Sequence, residues 1–65
     1  MKRVEIKVNA VLDQDWSSWL ENLQLSYPER GVTLLQGHVL DVAAFYGLLE
    51  KMKNLGLEPV SIRYG

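Results

Sequence analysis

Residues 41–65 read DVAAFYGLLEKMKNLGLEPVSIRYG, and this stretch sets the fold. Asp41 predicts an N-cap, because its carboxylate can accept the free N–H groups of a first helical turn. Ala44, Phe45, Leu48, Met52 and Leu55 then recur at spacings of three and four, and at about 100° per residue they share one face. That is the stripe of a helix lying on a core. Gly56 follows the last apolar residue, where a left-handed C-terminal cap suits glycine, and Leu57 is placed to close the cap's hydrophobic contact. Pro59 stops the helix from resuming. Val60, Ile62 and Tyr64 alternate with Ser61 and Arg63, which predicts a half-buried strand.

Two features of the helix depart from the simple stripe. Gly47 sits in its middle, at a cost of roughly 0.5–1 kcal/mol relative to alanine. Close packing against a neighbouring backbone is the expectation, and room for a ligand or partner the alternative. Val42, Tyr46 and Leu49 form a second apolar line along the flank, which reads either as peripheral core with incidental exposure or as an edge for self-association.

Upstream, Val4, Ile6, Val8 and Ala10 alternate with Arg3, Glu5, Lys7 and Asn9, a period-two strand with one wet face. Asp13 to Asn22 predicts a helix of about two and a half turns, capped by Asp13 and carrying Trp16, Trp19 and Leu20 on one face. Trp16 is expected in the core. Trp19, at the edge of the stripe, reads as a candidate interface anchor. Leu23, Leu25 and Tyr27 alternate as a strand, residues 28–31 (PERG) form a turn, and Val32 to Val39 resumes the strand as a β-hairpin. The buried face of the second hairpin strand is ambiguous, because Val32 and Leu34 compete with Leu35 and Val39. With Leu35 and Val39 inward, Leu34 lies on the open face of the sheet. Gly37 suggests a bulge or a close approach.

Strand, helix, strand, strand, helix, strand is the order of an α+β, ferredoxin-like βαββαβ plait. Right-handed crossovers put both helices on one face of a four-stranded antiparallel sheet of order 4-1-3-2. The expected core is Val4, Ile6, Val8, Trp16, Leu20, Leu25, Leu35, Phe45, Leu48, Met52, Leu55, Val60 and Ile62. The alternative is a three-stranded βαβαβ layer in which residues 23–27 are loop.

The Asp41–Gly56 run, with Leu12, Asp13, Trp16 and Trp19 ahead of it, resembles a group of short, uncharacterised prokaryotic proteins. They carry an Asp-x-Ala-Ala-Leu-x-Gly-Leu-Leu helix ending in Leu-Gly and an early Leu-Asp-x-x-Trp-x-x-Trp/Phe. Phe45 replaces the usual leucine, and Gln14 stands where that pattern has proline. The resemblance spans most of the chain. It implies a stand-alone α/β-plait and carries over no activity and no site residues.

At 65 residues the chain is a single domain over 1–65, near the lower limit for independent folding. It has no cysteine and one histidine, so neither disulfides nor a thiolate metal site brace it. A tightly packed core or oligomerisation has to compensate. A hydrophobic content of 48% argues for a globular core, and a net charge of −1 leaves no basic footprint for nucleic acid. No run reaches the roughly 18 apolar residues of a membrane span. A cytoplasmic, membrane-free protein is the expectation.

Nothing in the chain makes a catalytic, metal or cofactor signature, and no enzyme is expected. His38 has only Asp41 and Tyr46 as partners within reach in sequence. Ser17 and Ser18 lie on a helix without a nucleophile elbow. The four glutamates of residues 21–58 are dispersed, and no glycine loop cradles phosphate. Three classes of function remain. The first is a non-enzymatic, self-associating or adaptor domain, a homodimer by preference, with Val42, Tyr46, Gly47, Leu49, Trp19 and Leu34 as candidate interface residues. The second is a small-ligand regulatory module of the ACT type, by analogy of fold alone. The third is a weak single-stranded nucleic-acid binder on the open sheet face, through Arg3, Lys7 and Arg63. It ranks last because strand one presents no stacking aromatics.

Overall fold

The computed structural model describes residues 1–65. The elements run β1 (Lys2–Val8), α1 (Trp16–Trp19), β2 (Gln24–Glu29), β3 (Val32–Val39), α2 (Val42–Asn54) and β4 (Pro59–Tyr64). All three strand pairings are antiparallel, and the order across the sheet is β2-β3-β1-β4. Counted from the β4 edge it runs 4-1-3-2. The alternative with residues 23–27 as loop is excluded, because Leu25 pairs with Leu35 and Ser26 with Leu34.

Register assigns the faces. Val4, Ile6 and Val8 lie opposite Gly37, Leu35 and Thr33, and these rows carry the buried side chains. Arg3, Glu5 and Lys7 lie opposite His38, Gln36 and Leu34 on the other face. The ambiguity in β3 is thereby resolved: Leu35 and Val39 turn inward and Leu34 lies on the open face beside Lys7, half-buried. Val32 is buried as well.

Both ends of α2 obey local chemistry. The Asp41 carboxylate accepts from Ala44 N at 2.9 Å, with Asp41 itself extended. At the far end Gly56 adopts φ 78°, Leu57 N donates to Met52 O (2.9 Å) and Gly56 N to Lys53 O (3.0 Å). This is a Schellman motif, and its hydrophobic contact falls to Leu57 and Met52, both buried. Phe45, Leu48 and Met52 carry the buried stripe. Leu48 is wholly inaccessible, and such a side chain contributes roughly 1.5–3 kcal/mol by leaving water.

Four expectations are corrected. The first helix is one turn, Trp16–Trp19, not ten residues. Its Asp13 does not cap it but closes a local turn, accepting from Asp15 N at 3.0 Å. Glu21 and Asn22 adopt φ 59° and 55°, a left-handed pair that ends the helix and turns the chain into β2. Asn22 N reaches back to Ser17 O (2.8 Å), and the Ser17 hydroxyl donates to Leu23 O (2.7 Å). The backbone bond of Asn22 closes the left-handed turn, and the Ser17 side chain bonding to Leu23 O competes with helix continuation.

Second, Val60 and Ile62 are not core: they are 56% and 44% exposed. Ile62 lies opposite buried Ile6, so it faces the helical side, but β4 is an edge strand and α2 lies over β3. The register breaks between Lys7 and Val8, leaving Val60 unpaired as the extra residue of a bulge. Third, the core draws instead on Leu12, Leu23, Val39 and Leu57, while Trp16 and Leu55 only pack against it. Fourth, Gly47 is not a close contact: a Cβ built there meets nothing within 4 Å. The close approach is at Gly37, where a Cβ would lie 2.8 Å from a Leu23 methyl.

Leu12 is buried because the loop carrying it is strapped to the hairpin. Its N–H donates to Thr33 Oγ1 (3.0 Å), and the Thr33 hydroxyl donates to Ala10 O (2.6 Å). Tyr27 donates its hydroxyl to Leu12 O and accepts from Gln14 Nε2 at 3.2 Å. Thr33 is the one buried polar residue, and no buried side-chain polar atom lacks a partner. No helix is long and apolar enough to cross a membrane.

Candidate functional site at the α2–β4 edge

The six candidate interface residues do not form one surface. At about 100° per residue, Val42, Tyr46 and Leu49 follow Phe45 round one flank of α2. Phe45 stacks on Tyr64 of β4, with ring centroids 4.4 Å apart and planes at 28°. On the opposite flank Lys51 meets Glu21 at 3.5 Å. The Val42–Tyr46–Leu49 flank therefore looks out over β4, away from α1. Gly47 lies a further 100° or so round, on the outer back of the helix, and is separate from that flank. Trp19 stands on α1 and Leu34 on the open face of the sheet.

The flank of α2 continues into β4. Val42, Tyr46, Val60, Ile62 and Tyr64 are all exposed, Tyr46 by 64%. Phe45 bridges the two elements, with Tyr46 5.8 Å from it on one side and Tyr64 stacked on the other. The exposed aromatic ring of Tyr46 is thus joined through Phe45 to Tyr64 on a strand that has no neighbour on its outer side. Two of the exposed residues, Val60 and Ile62, are ones that alternation alone assigns to the core. Nothing in the periodicity of β4 distinguishes a covered strand from an uncovered one. Proline at its start was the available hint that it lies at an edge.

The two edges of the sheet differ. On β2, Pro28 removes a donor and the register breaks between Ser26 and Glu29. Both are devices that block pairing with another strand. On β4 the residues after Pro59 and the bulge, Ser61 to Tyr64, run in unbroken register against β1.

A second recess lies at α1. Trp16 and Trp19 sit with ring centroids 6.3 Å apart and planes inclined by 47°, and Asp13 and Asp15 complete the lining of a depression of about 230 Å³. Trp19 is 61% exposed.

The open face of β1 and β3 carries charges of both signs and no Phe, Tyr or Trp ring. Arg3 is held by Glu5 through two hydrogen bonds of 2.9 and 3.1 Å. His38 lies opposite Arg3 on this face, while Asp41 is occupied in capping α2 rather than orienting it. No group of three or more histidine, cysteine or acidic residues converges as a metal site.

No curated protein and no solved structure matches the chain significantly. One family does: a profile described as Domain of unknown function (DUF8691) matches residues 3–63, from the second residue of β1 to the penultimate residue of β4, and the chain therefore belongs to that family.

Proposed function

We propose that this protein is a non-enzymatic, ferredoxin-like plait that works by self-association, as a homodimer formed on the α2–β4 side. The observation that carries the reading is a β4 edge that runs in unbroken register from Ser61 to Tyr64, beyond Pro59 and the bulge, next to exposed apolar side chains. Tyr64 stacks on Phe45, which neighbours Tyr46, and Ile62 and Val60 are exposed further along β4, whereas the β2 edge is blunted by Pro28 and a register break. A monomeric domain protects both edges of its sheet, and here the protection on β4, Pro59 and the bulge, stops short of Ser61 to Tyr64.

Sedimentation equilibrium at micromolar concentration tests the reading. A mass of two chains is expected, falling to one chain in Ile62→Lys, because a charged residue on an edge strand opposes pairing. A mass of one chain for the unmodified protein at that concentration overturns the proposal.

A second reading, small-ligand binding, draws on the recess of Trp16, Trp19, Asp13 and Asp15. Two tilted indole faces beside two carboxylates suit an organic cation of the quaternary-ammonium kind. A tryptophan-fluorescence titration with tetramethylammonium that shows no saturable change up to millimolar concentration removes it.

A further inference from the structure

We infer that the second copy adds to the sheet through β4 itself, antiparallel and with the two-fold axis at Ile62, so that the dimer is one continuous eight-stranded sheet. This inference rests on the self-association reading and specifies its geometry.

The phase of the β1–β4 ladder determines which groups are free. Gly65 N donates to Arg3 O at 3.0 Å. In an antiparallel ladder alternate residues turn their N–H and C=O to opposite sides. Gly65, Arg63 and Ser61 therefore turn theirs toward β1, and Tyr64 and Ile62 turn theirs outward. Since β4 has no neighbour on its outer side, those groups meet no strand. They form a short, self-complementary row of donors and acceptors.

Two symmetric registers set Ile62 against the partner's β4: an axis at Arg63 matches the two outward residues to each other, and an axis at Ile62 matches Ile62 to itself and leaves Tyr64 opposite the bulge residue. With the axis at Ile62, Ile62 exchanges both backbone bonds with the partner's Ile62, and Tyr64 lies opposite the partner's Val60. With the axis at Arg63, Ile62 lies opposite the partner's Tyr64, but Arg63 then faces the partner's Arg63. That would be a pair without mutual backbone bonds, the closer kind, and directly opposed like charges are destabilising. With the axis at Ile62, Arg63 instead faces the partner's Ser61. On the helical side of the sheet, the same register sets Ile62 on the partner's Ile62 and Tyr64 on the partner's Val60, all exposed in the single chain. Pro59 does not obstruct the pairing, since the outward row begins beyond it.

The absence of cysteine makes a direct test available. Directly opposed residues exchanging backbone bonds have Cα atoms about 5.5 Å apart, inside the roughly 4.4–6.8 Å range of a disulfide. With the axis at Ile62, the two Arg63 Cα atoms are offset along the strands and lie beyond about 7 Å, where bridging fails. Ile62→Cys and Arg63→Cys are oxidised separately at micromolar concentration and run on a non-reducing gel, with the mass of the unmodified protein measured in parallel. The expected result is a mass of two chains, a covalent dimer in Ile62→Cys within minutes, and at least tenfold less in Arg63→Cys. A two-chain mass with Arg63→Cys cross-linking faster, or with neither variant cross-linking, overturns the Ile62 register and leaves self-association standing. A one-chain mass overturns both.

Discussion

Replacing Gly47 by alanine should stabilise the protein. The residue lies inside α2, with ordinary helical backbone and only Gly31 and Gly56 among the glycines at positive φ. A Cβ there meets nothing within 4 Å, so the added methyl neither clashes nor fills a gap. What remains is the backbone entropy that glycine loses in a helix, roughly 0.5–1 kcal/mol relative to alanine. For a domain of this size that is a rise in Tm of about 2–8 °C. In urea, with a slope near 1 kcal/mol per molar, the midpoint moves up by about 0.5–1 M at unchanged slope. The two proteins are compared at one concentration, because dimer formation makes Tm concentration-dependent. Sedimentation should give both the same mass, since Gly47 faces away from the α2–β4 side. An unchanged or lowered midpoint would refute the reasoning that Gly47 stands in open space. A lowered mass would show instead that the outer back of α2 belongs to the interface.

The same substitution at Gly37 should have the opposite sign. Its Cβ would sit 2.8 Å from a methyl of Leu23, which is buried and short of room to move, so Gly37→Ala is expected to cost about 1–3 kcal/mol in a denaturant titration. Thr33→Val keeps the shape but leaves Leu12 N without its acceptor. A loss of roughly 1–3 kcal/mol is expected, with faster amide exchange at Leu12. Asp41→Ala removes the cap on Ala44 N and should lower stability by about 1 kcal/mol, with fraying of the first turn of α2 visible in its amide exchange.

Much of the architecture was legible because it is local. Asp41 caps and Gly56 stops α2 through bonds to residues three to five positions away. The alternation in β1 places Val4, Ile6 and Val8 inward, as they are found, whereas the inward face of β3 was settled only by its register against β1. The failures have physical causes of another kind. The first helix was overdrawn because Glu21 and Asn22 take up left-handed backbone, which apolar spacing does not register. Leu12 and Leu23 were missed because their burial depends on straps from Thr33 and Tyr27 and on the space left by Gly37. Of the candidate interface, the α2 flank of Val42, Tyr46 and Leu49 was visible as a second apolar line. Its continuation onto β4 was not, because Val60 and Ile62 alternate like any core strand.

The sequence by itself therefore determined the order of the elements, both ends of α2 and the inward face of β1, since these follow from periods of 2 and 3.6 and from bonds between near neighbours in the chain. Only the tertiary structure decided which strand is left uncovered and which edge is guarded. A periodicity states that a strand has an apolar side. Whether a helix or solvent lies over that side depends on where the other elements settle, and here α2 settles over β3 and leaves Val60, Ile62 and Tyr64 at the margin.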